Sequence, residues 1–179
     1  GLGTLSYAYD QLDRRTRMSD SLGGETLYAY DAEDRLTDLT APWGTVYSFD
    51  YDDEGRRTSL TSTSGRATTY GYETGLLTAL THMQSGATLS DLAYQYGPDG
   101  QLTAILDQLD PAKSRFISYD ALNRLVQVAE GTPPAQGGLP LPVEDYAYDE
   151  EGNRTFSSDR PAKALWHRSC GPCYAAIAA

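Results

Sequence analysis

The side chains in this chain that could do chemistry are mostly carboxylates, and they come in clusters such as Asp50-Tyr51-Asp52-Asp53-Glu54 and Asp149-Glu150-Glu151. Oxygen ligands of this kind hold calcium, and paired carboxylates serve glycosidases. Neither cluster has the loop spacing of a known calcium motif. Carboxylates also recur at regular intervals along the chain, as those of a scaffold do and those of an active site do not. They are read as turn caps, with no metal site and no catalytic residue. His82 and His167 stand apart from any Ser or Asp constellation that would make either a base, so a surface or packing role is expected of both.

Leu165-Trp166-His167-Arg168-Ser169-Cys170-Gly171-Pro172-Cys173 ends in a Cys-Gly-Pro-Cys sequence similar to a redox motif in which a helix N-terminus activates the first thiol. That chemistry needs a surrounding βαβ fold, and only Tyr174 to Ala179 follow. Residues 158-179 are therefore read as a non-repeat tail, a short helix or disordered, in which Cys170 and Cys173 form an opportunistic disulfide or zinc contact. A redox role for the pair is the minor alternative, and no cofactor is expected. With no other cysteine, disulfides do not frame the remainder.

The carboxylates are positioned by a repeated pattern. Tyr9-Asp10, Tyr30-Asp31, Tyr51-Asp52, Tyr72-Glu73, Tyr96-Gly97, Tyr119-Asp120 and Tyr148-Asp149 lead units whose tyrosines are separated by 21, 21, 21, 24, 23 and 29 residues. A period of this kind is the mark of a repeat architecture. In Phe49-Asp50-Tyr51 apolar and polar residues alternate, as in a half-buried strand. Asp52 can fold back onto nearby amides, and Gly55 can take the positive φ that closes a three- or four-residue hairpin loop. Asp13, Asp34, Gly100, Asn123 and Gly152 stand where Gly55 does, with Gly75 one step earlier in a shortened fourth unit; all tolerate a left-handed backbone. An arginine usually opens the return strand, as Arg14, Arg35, Arg56 and Arg124 do. Further reversals are expected at Ser21-Leu22-Gly23-Gly24, Ala41-Pro42-Trp43-Gly44 and Ser62-Thr63-Ser64-Gly65.

The expected fold is all-β: about seven tandem antiparallel hairpins over residues 1-157, forming a curved open sheet or β-spiral. Insertions near His82 to Ser90 and at Asp107 to Ser114 are expected in loops on one rim, and the Pro/Gly-rich stretch 131–142 as a surface spacer. Fourteen tyrosines against three phenylalanines and two methionines suit pleated sheet. A net charge of −11 argues against a nucleic-acid backbone or an anionic membrane as partner. No apolar run is long enough to span a bilayer, and residues 1–7 have no secretory-signal character, so targeting signals are expected outside this sequence.

Tyr28-Ala29-Tyr30-Asp31 through Arg35-Leu36-Thr37, and Tyr51-Asp52-Asp53-Glu54-Gly55-Arg56, resemble the YD repeat of the rearrangement-hotspot (Rhs) family, found also in insecticidal toxin-complex subunits and teneurins. The resemblance implies a long β-strip wound into a hollow shell, secreted or displayed at the cell surface, that encloses and helps deliver a C-terminal toxin domain. Its partners would be that cargo or neighbouring repeats. The alternative is an exposed repeat surface that binds carbohydrate or a partner protein. No catalytic residue belongs to the repeats. Glu73 and Gly97 depart from the pattern where an Asp is expected.

Overall fold

Each tyrosine-led unit folds as a hairpin, and the hairpins follow one another in chain order. The computed structural model describes residues 3–159. Two compact units divide the chain, Gly1–Tyr94 and Gln95–Ala179. In the first, strands β1 (Leu5–Tyr9), β2 (Arg15–Asp20), β3 (Glu25–Tyr30), β4 (Leu36–Thr40), β5 (Val46–Tyr51), β6 (Arg57–Ser62), β7 (Arg66–Glu73), β8 (Leu76–Gln84) and β9 (Ala87–Tyr96) pair antiparallel, each with its chain neighbours. In the second, β10 (Leu102–Asp107), β11 (Arg115–Tyr119), β12 (Leu125–Glu130), β13 (Leu141–Tyr148) and β14 (Arg154–Asp159) do the same. The all-β, tandem-hairpin class expected from the sequence is what the chain adopts.

The turns explain the repeat. The Asp52 amide bonds the Arg56 carbonyl at 2.9 Å, the Gly55 amide bonds the Asp52 carbonyl at 3.0 Å, and Gly55 has φ +79°. Such a loop, a turn followed by one left-handed residue, leaves a bulge in the return strand. The register shows it: Tyr51 faces Arg57 while Asp50 faces Ser59, so Thr58 is the extra residue. Thr16, Thr37 and Thr58 share this place. The Thr16 hydroxyl donates across the pair to the Ala8 carbonyl at 3.3 Å, and Thr103 does the same to Gln95 at 3.1 Å. At Thr16 and Thr103 the hydroxyl thus ties the bulge to the facing strand.

Two expectations need correction. His82 to Ser90 is not a loop: β8 and β9 are lengthened instead, joined by Ser85-Gly86 with φ +50° and +84°. Two adjacent positive-φ residues make the tight hairpin turn that matches strand twist, so the extra residues extend the ladder. Likewise Leu141 and Pro142 of the Pro/Gly-rich stretch belong to β13, where Pro142 faces Ala129 across a register shift that excuses its missing amide donor. By contrast Asp107 to Ser114 is a loop with a short 3-10 turn at Pro111–Lys113, anchored by a wholly buried Ser114 whose hydroxyl accepts from the Asp107 amide.

Directly paired residues share a face, so the register sorts the side chains. One face of the first unit carries Tyr28 opposite Leu39, Phe49 opposite Leu60 and Tyr70 opposite Leu80. The other is polar: the Ser48 hydroxyl donates to Asp38 at 2.7 Å, Ser59 to Asp50 at 2.6 Å and Thr81 to Asp91 at 3.0 Å. Among the described residues the buried apolar ones are Ala41, Ala104, Val128, Ala129 and Pro133. Each unit is thus held by half-buried side chains on a single layer of sheet rather than by a closed core.

Candidate functional site

The leading aspartate is the hub of each turn. Oδ1 of Asp31 accepts from the Glu33 amide at 3.0 Å and the Arg35 amide at 2.8 Å, while Oδ2 accepts from Arg35 Nε at 2.7 Å. Asp10 with Arg14 and Asp120 with Arg124 repeat the arrangement, their Nε contacts again 2.7 Å, and Asp52 holds Arg56 the same way. The side chain spans the loop and fixes the arginine side chain at the same time.

A fixed arginine reaches the next hairpin. Arg14 Nη1 donates to the Asp31 carbonyl at 3.1 Å, Arg35 to Asp52 at 3.2 Å and Arg124 to Asp149 at 3.3 Å. The same guanidinium lies over the next tyrosine ring, with centroid distances of 5.0 Å for Arg14 on Tyr30, 5.0 Å for Arg35 on Tyr51, 4.7 Å for Arg56 on Tyr72 and 4.6 Å for Arg124 on Tyr148. That separation is within cation–π range. The tyrosine answers backwards: Tyr30 donates its hydroxyl to the Arg15 carbonyl at 3.0 Å, Tyr51 to Leu36 at 2.8 Å, Tyr72 to Arg57 at 3.0 Å, Tyr119 to Leu102 at 3.0 Å and Tyr148 to Leu125 at 2.8 Å. Asp, Arg and Tyr therefore form one interlock in which each repeat is fastened to its neighbour by side chains as well as by the ladder.

The exceptions follow the same logic. Where Asp is replaced, by Glu73 or Gly97, the arginine position holds Leu76 or Gln101. In the seventh repeat Asn153 takes the arginine's place and donates its side-chain amide to Asp149 at 3.1 Å. Losing Asp and Arg together avoids leaving either charge unpaired. A corresponding result is expected for Asp52→Ala and Arg56→Ala in a double-mutant cycle: the double variant melts above the temperature expected from adding the two single losses. Additive losses would mean the two side chains act separately.

Hydrogen bonding also sets the charge behaviour. The carboxyl of Asp120 is held below the usual range chiefly by the Arg124 amide, and that of Asp149 by the Asn153 side chain. At Asp10, Asp31 and Asp52 partial burial works upward, but the arginine amide and guanidinium together outweigh it and the carboxyl is again lowered. Arg14, Arg35 and Arg56 are raised mainly by the hydrogen bond to their aspartates. Carboxyls lowered by folding contribute stability in full above their unfolded value, about 3.9, and lose it as pH falls through the lower folded value. Melting temperature is expected to change little from these groups between about pH 5 and 8 and to drop below about pH 4. A thermal melt series that instead lost stability between pH 6 and 5 would contradict this.

Of the positions singled out from the sequence, Tyr30, Tyr51, Tyr72 and Tyr148 meet the arginine of an earlier repeat, and Tyr119 keeps the hydroxyl bond alone. Gly55, Gly75, Gly100, Asn123 and Gly152 all take positive φ at the loop ends. His82 Nδ1 shares a 2.9 Å hydrogen bond with the Thr68 hydroxyl. His167, Cys170 and Cys173 lie outside the described residues. Among those described, no three His, Cys, Asp or Glu side chains come together as a metal would require, and no helix is long and apolar enough to cross a membrane.

Comparison with known proteins accords with this geometry. The RHS Repeat family pattern matches residues 30–67 and again 51–88, a shift of one 21-residue unit. Residues 30–88 thus carry the Rhs repeat pattern. No curated protein matches the chain by sequence. Among solved structures, the chain is similar to TcdB2-TccC3 without its hypervariable C-terminal region, at 21% identity and a TM-score of 0.70 over 88% of this chain and 9% of that one. TcdB2-TccC3-TEV matches at 21% identity and 0.69 over 87% of this chain, again 9% of the other. The Photorhabdus luminescens Tc holotoxin pore with a TccC3 mutation matches at 20% and 0.69 over 86%, likewise 9%. At such identity these likenesses speak for the shared fold. The chain spans about a tenth of the length of the chains it matches.

Proposed function

We propose that this Rhs module is a segment of wall in a larger β-shell that encloses a polypeptide cargo, a C-terminal toxin domain in the full protein, and helps deliver it outside the producing cell. One observation carries the reading: repeats that keep the arginine present, on that arginine and on their backbone, the receptor for the next repeat's tyrosine. A module built this way grows by adding identical courses, and its stability is a property of the run rather than of any hairpin. The polar face, the single layer and the modest loops suit a thin enclosing sheet. The likeness in fold to TcdB2-TccC3, one structure of which lacks a hypervariable C-terminal region, supports the same reading.

Limited proteolysis of the full protein that contains this segment tests it. The C-terminal domain is expected to resist protease while the array is folded and to become sensitive when the array is melted. A C-terminal domain cleaved equally fast in both states would overturn the proposal.

A further inference from the structure

Of the first unit's arginines outside the interlock, Arg17 pairs with Glu25 and Arg66 with Gln84, but two others stack on rings instead. Arg15 and Arg57 follow Arg14 and Arg56, and the register places them opposite Tyr9 and Tyr51, on the tyrosine-bearing face. Neither meets a carboxylate. Arg15 stacks over Tyr28 at 4.4 Å and, at 6.0 Å, over Tyr7, and Arg57 stacks over Phe49 at 4.7 Å. The Nε of each is buried with no hydrogen-bond partner. Both arginines are only half-buried, so each keeps access to solvent. In a chain with 25 acidic side chains against 14 Arg and Lys, guanidinium groups left without an anion are conspicuous. On the same face, β5 to β9 enclose a cavity of about 530 Å³ lined by Tyr47, Leu60, His82, Met83 and Leu89, with Arg66 at its wall and no carboxylate in its lining.

We infer that this face is a docking surface for an extended, apolar polypeptide segment that carries carboxylates. Charge complementarity selects the occupant. Stacking on an aromatic ring pre-sets a guanidinium for planar, two-pronged hydrogen bonding to a carboxylate, and the rings and the cavity offer apolar contact beside it. The spacing narrows the class. Arg15 on β2 and Arg57 on β6 are four strand intervals apart, roughly 19 Å, and the register sets them four residues apart along the strands, so they lie about 23 Å from each other. An extended chain covers about 20 Å in six residues, which the reach of two glutamate side chains extends to that span, and residues six apart project from the same side. The preferred segment therefore has acidic side chains six residues apart, with apolar side chains on the same edge between them. The inference rests on the enclosing-wall reading only for naming a polypeptide as the occupant.

Fluorescence anisotropy on the full chain tests it, using three synthetic peptides: glutamates six apart with leucines between on the same edge and serines elsewhere, the same peptide with glutamines, and one with the glutamates three apart. The variant is Arg15→Leu/Arg57→Leu. The chain itself has Leu36 at the equivalent place, so folding is expected to survive and is checked by thermal melt. The first peptide should bind, and binding should weaken about tenfold or more with glutamine, with the altered spacing and in the variant, as loss of charge-assisted hydrogen bonds implies. Equal binding of the glutamine peptide, or an unaffected variant, would overturn the inference. So would binding of an acidic oligosaccharide, lost in the variant, with none of the peptides bound. Any of these failures leaves protease protection of the cargo intact, so the wall reading stands or falls separately.

Discussion

Tyr51→Ala is expected to destabilise the first unit by about 2 kcal/mol, since it removes a half-buried aromatic side chain and a hydrogen bond to the neighbouring repeat. The ring lies under Arg35, and its hydroxyl bonds the Leu36 carbonyl. Tyr51→Phe keeps the ring and should cost only about 1 kcal/mol, the net worth of one hydrogen bond. Urea denaturation of both variants separates the two contributions. If the phenylalanine variant lost as much as the alanine variant, the ring's contact with Arg35 would count for nothing and the interlock would reduce to its hydroxyl.

Gly55→Val should cost about 2 kcal/mol or more, because a β-branched side chain resists the left-handed backbone that closes the turn. Space is not the obstacle: a Cβ on Gly55 would meet nothing within 4 Å, whereas φ is +79°. Gly55→Asn is therefore expected to recover most of the loss, as Asn123 occupies the same place with φ +62°. Glu54→Ala, at an exposed loop position one residue earlier, should stay within about 0.5 kcal/mol. Equal melting shifts for the Val and Ala variants would refute the assigned turn.

Much of this was legible in the sequence because the repeat reports its own backbone. A left-handed position filled in turn by Asp13, Asp34, Gly55, Asn123 and Gly152 can be recognised without coordinates, since those side chains have little else in common. Alternation around Tyr28 and Tyr30, or Phe49 and Tyr51, gives the strand period for the same reason. The links between repeats were harder to see. A tyrosine that hydrogen-bonds a main-chain carbonyl 15 residues earlier leaves no trace in residue type, because any residue supplies the acceptor: Arg15, Leu36 and Arg57 all do. The Asp–Arg pairing did leave one, in the joint loss of both partners at Glu73 with Leu76 and at Gly97 with Gln101. The lengthening of β8 and β9 was missed because Ser85-Gly86 is a weak turn signal beside the Pro- and Gly-rich reversals elsewhere.

The interlock also accounts for how a sheet with so few buried side chains holds together. Removing water from one tyrosine ring requires the arginine of the preceding repeat, which is itself held by an aspartate of its own loop. Stability in the first unit is thus passed from hairpin to hairpin, and the strand with no predecessor in the structure shows the consequence: Leu5, Tyr7 and Tyr9 of β1 are 57%, 46% and 58% exposed.

Amide hydrogen exchange across the first unit, compared between the native chain and Tyr51→Ala, tests this most directly. If repeats are fastened to one another as described, protection falls not only in β5 and β6 but also in β3 and β4, where Arg35 and the Leu36 carbonyl lose their partner. Faster exchange confined to the mutated hairpin, with β3 and β4 unchanged, would contradict it.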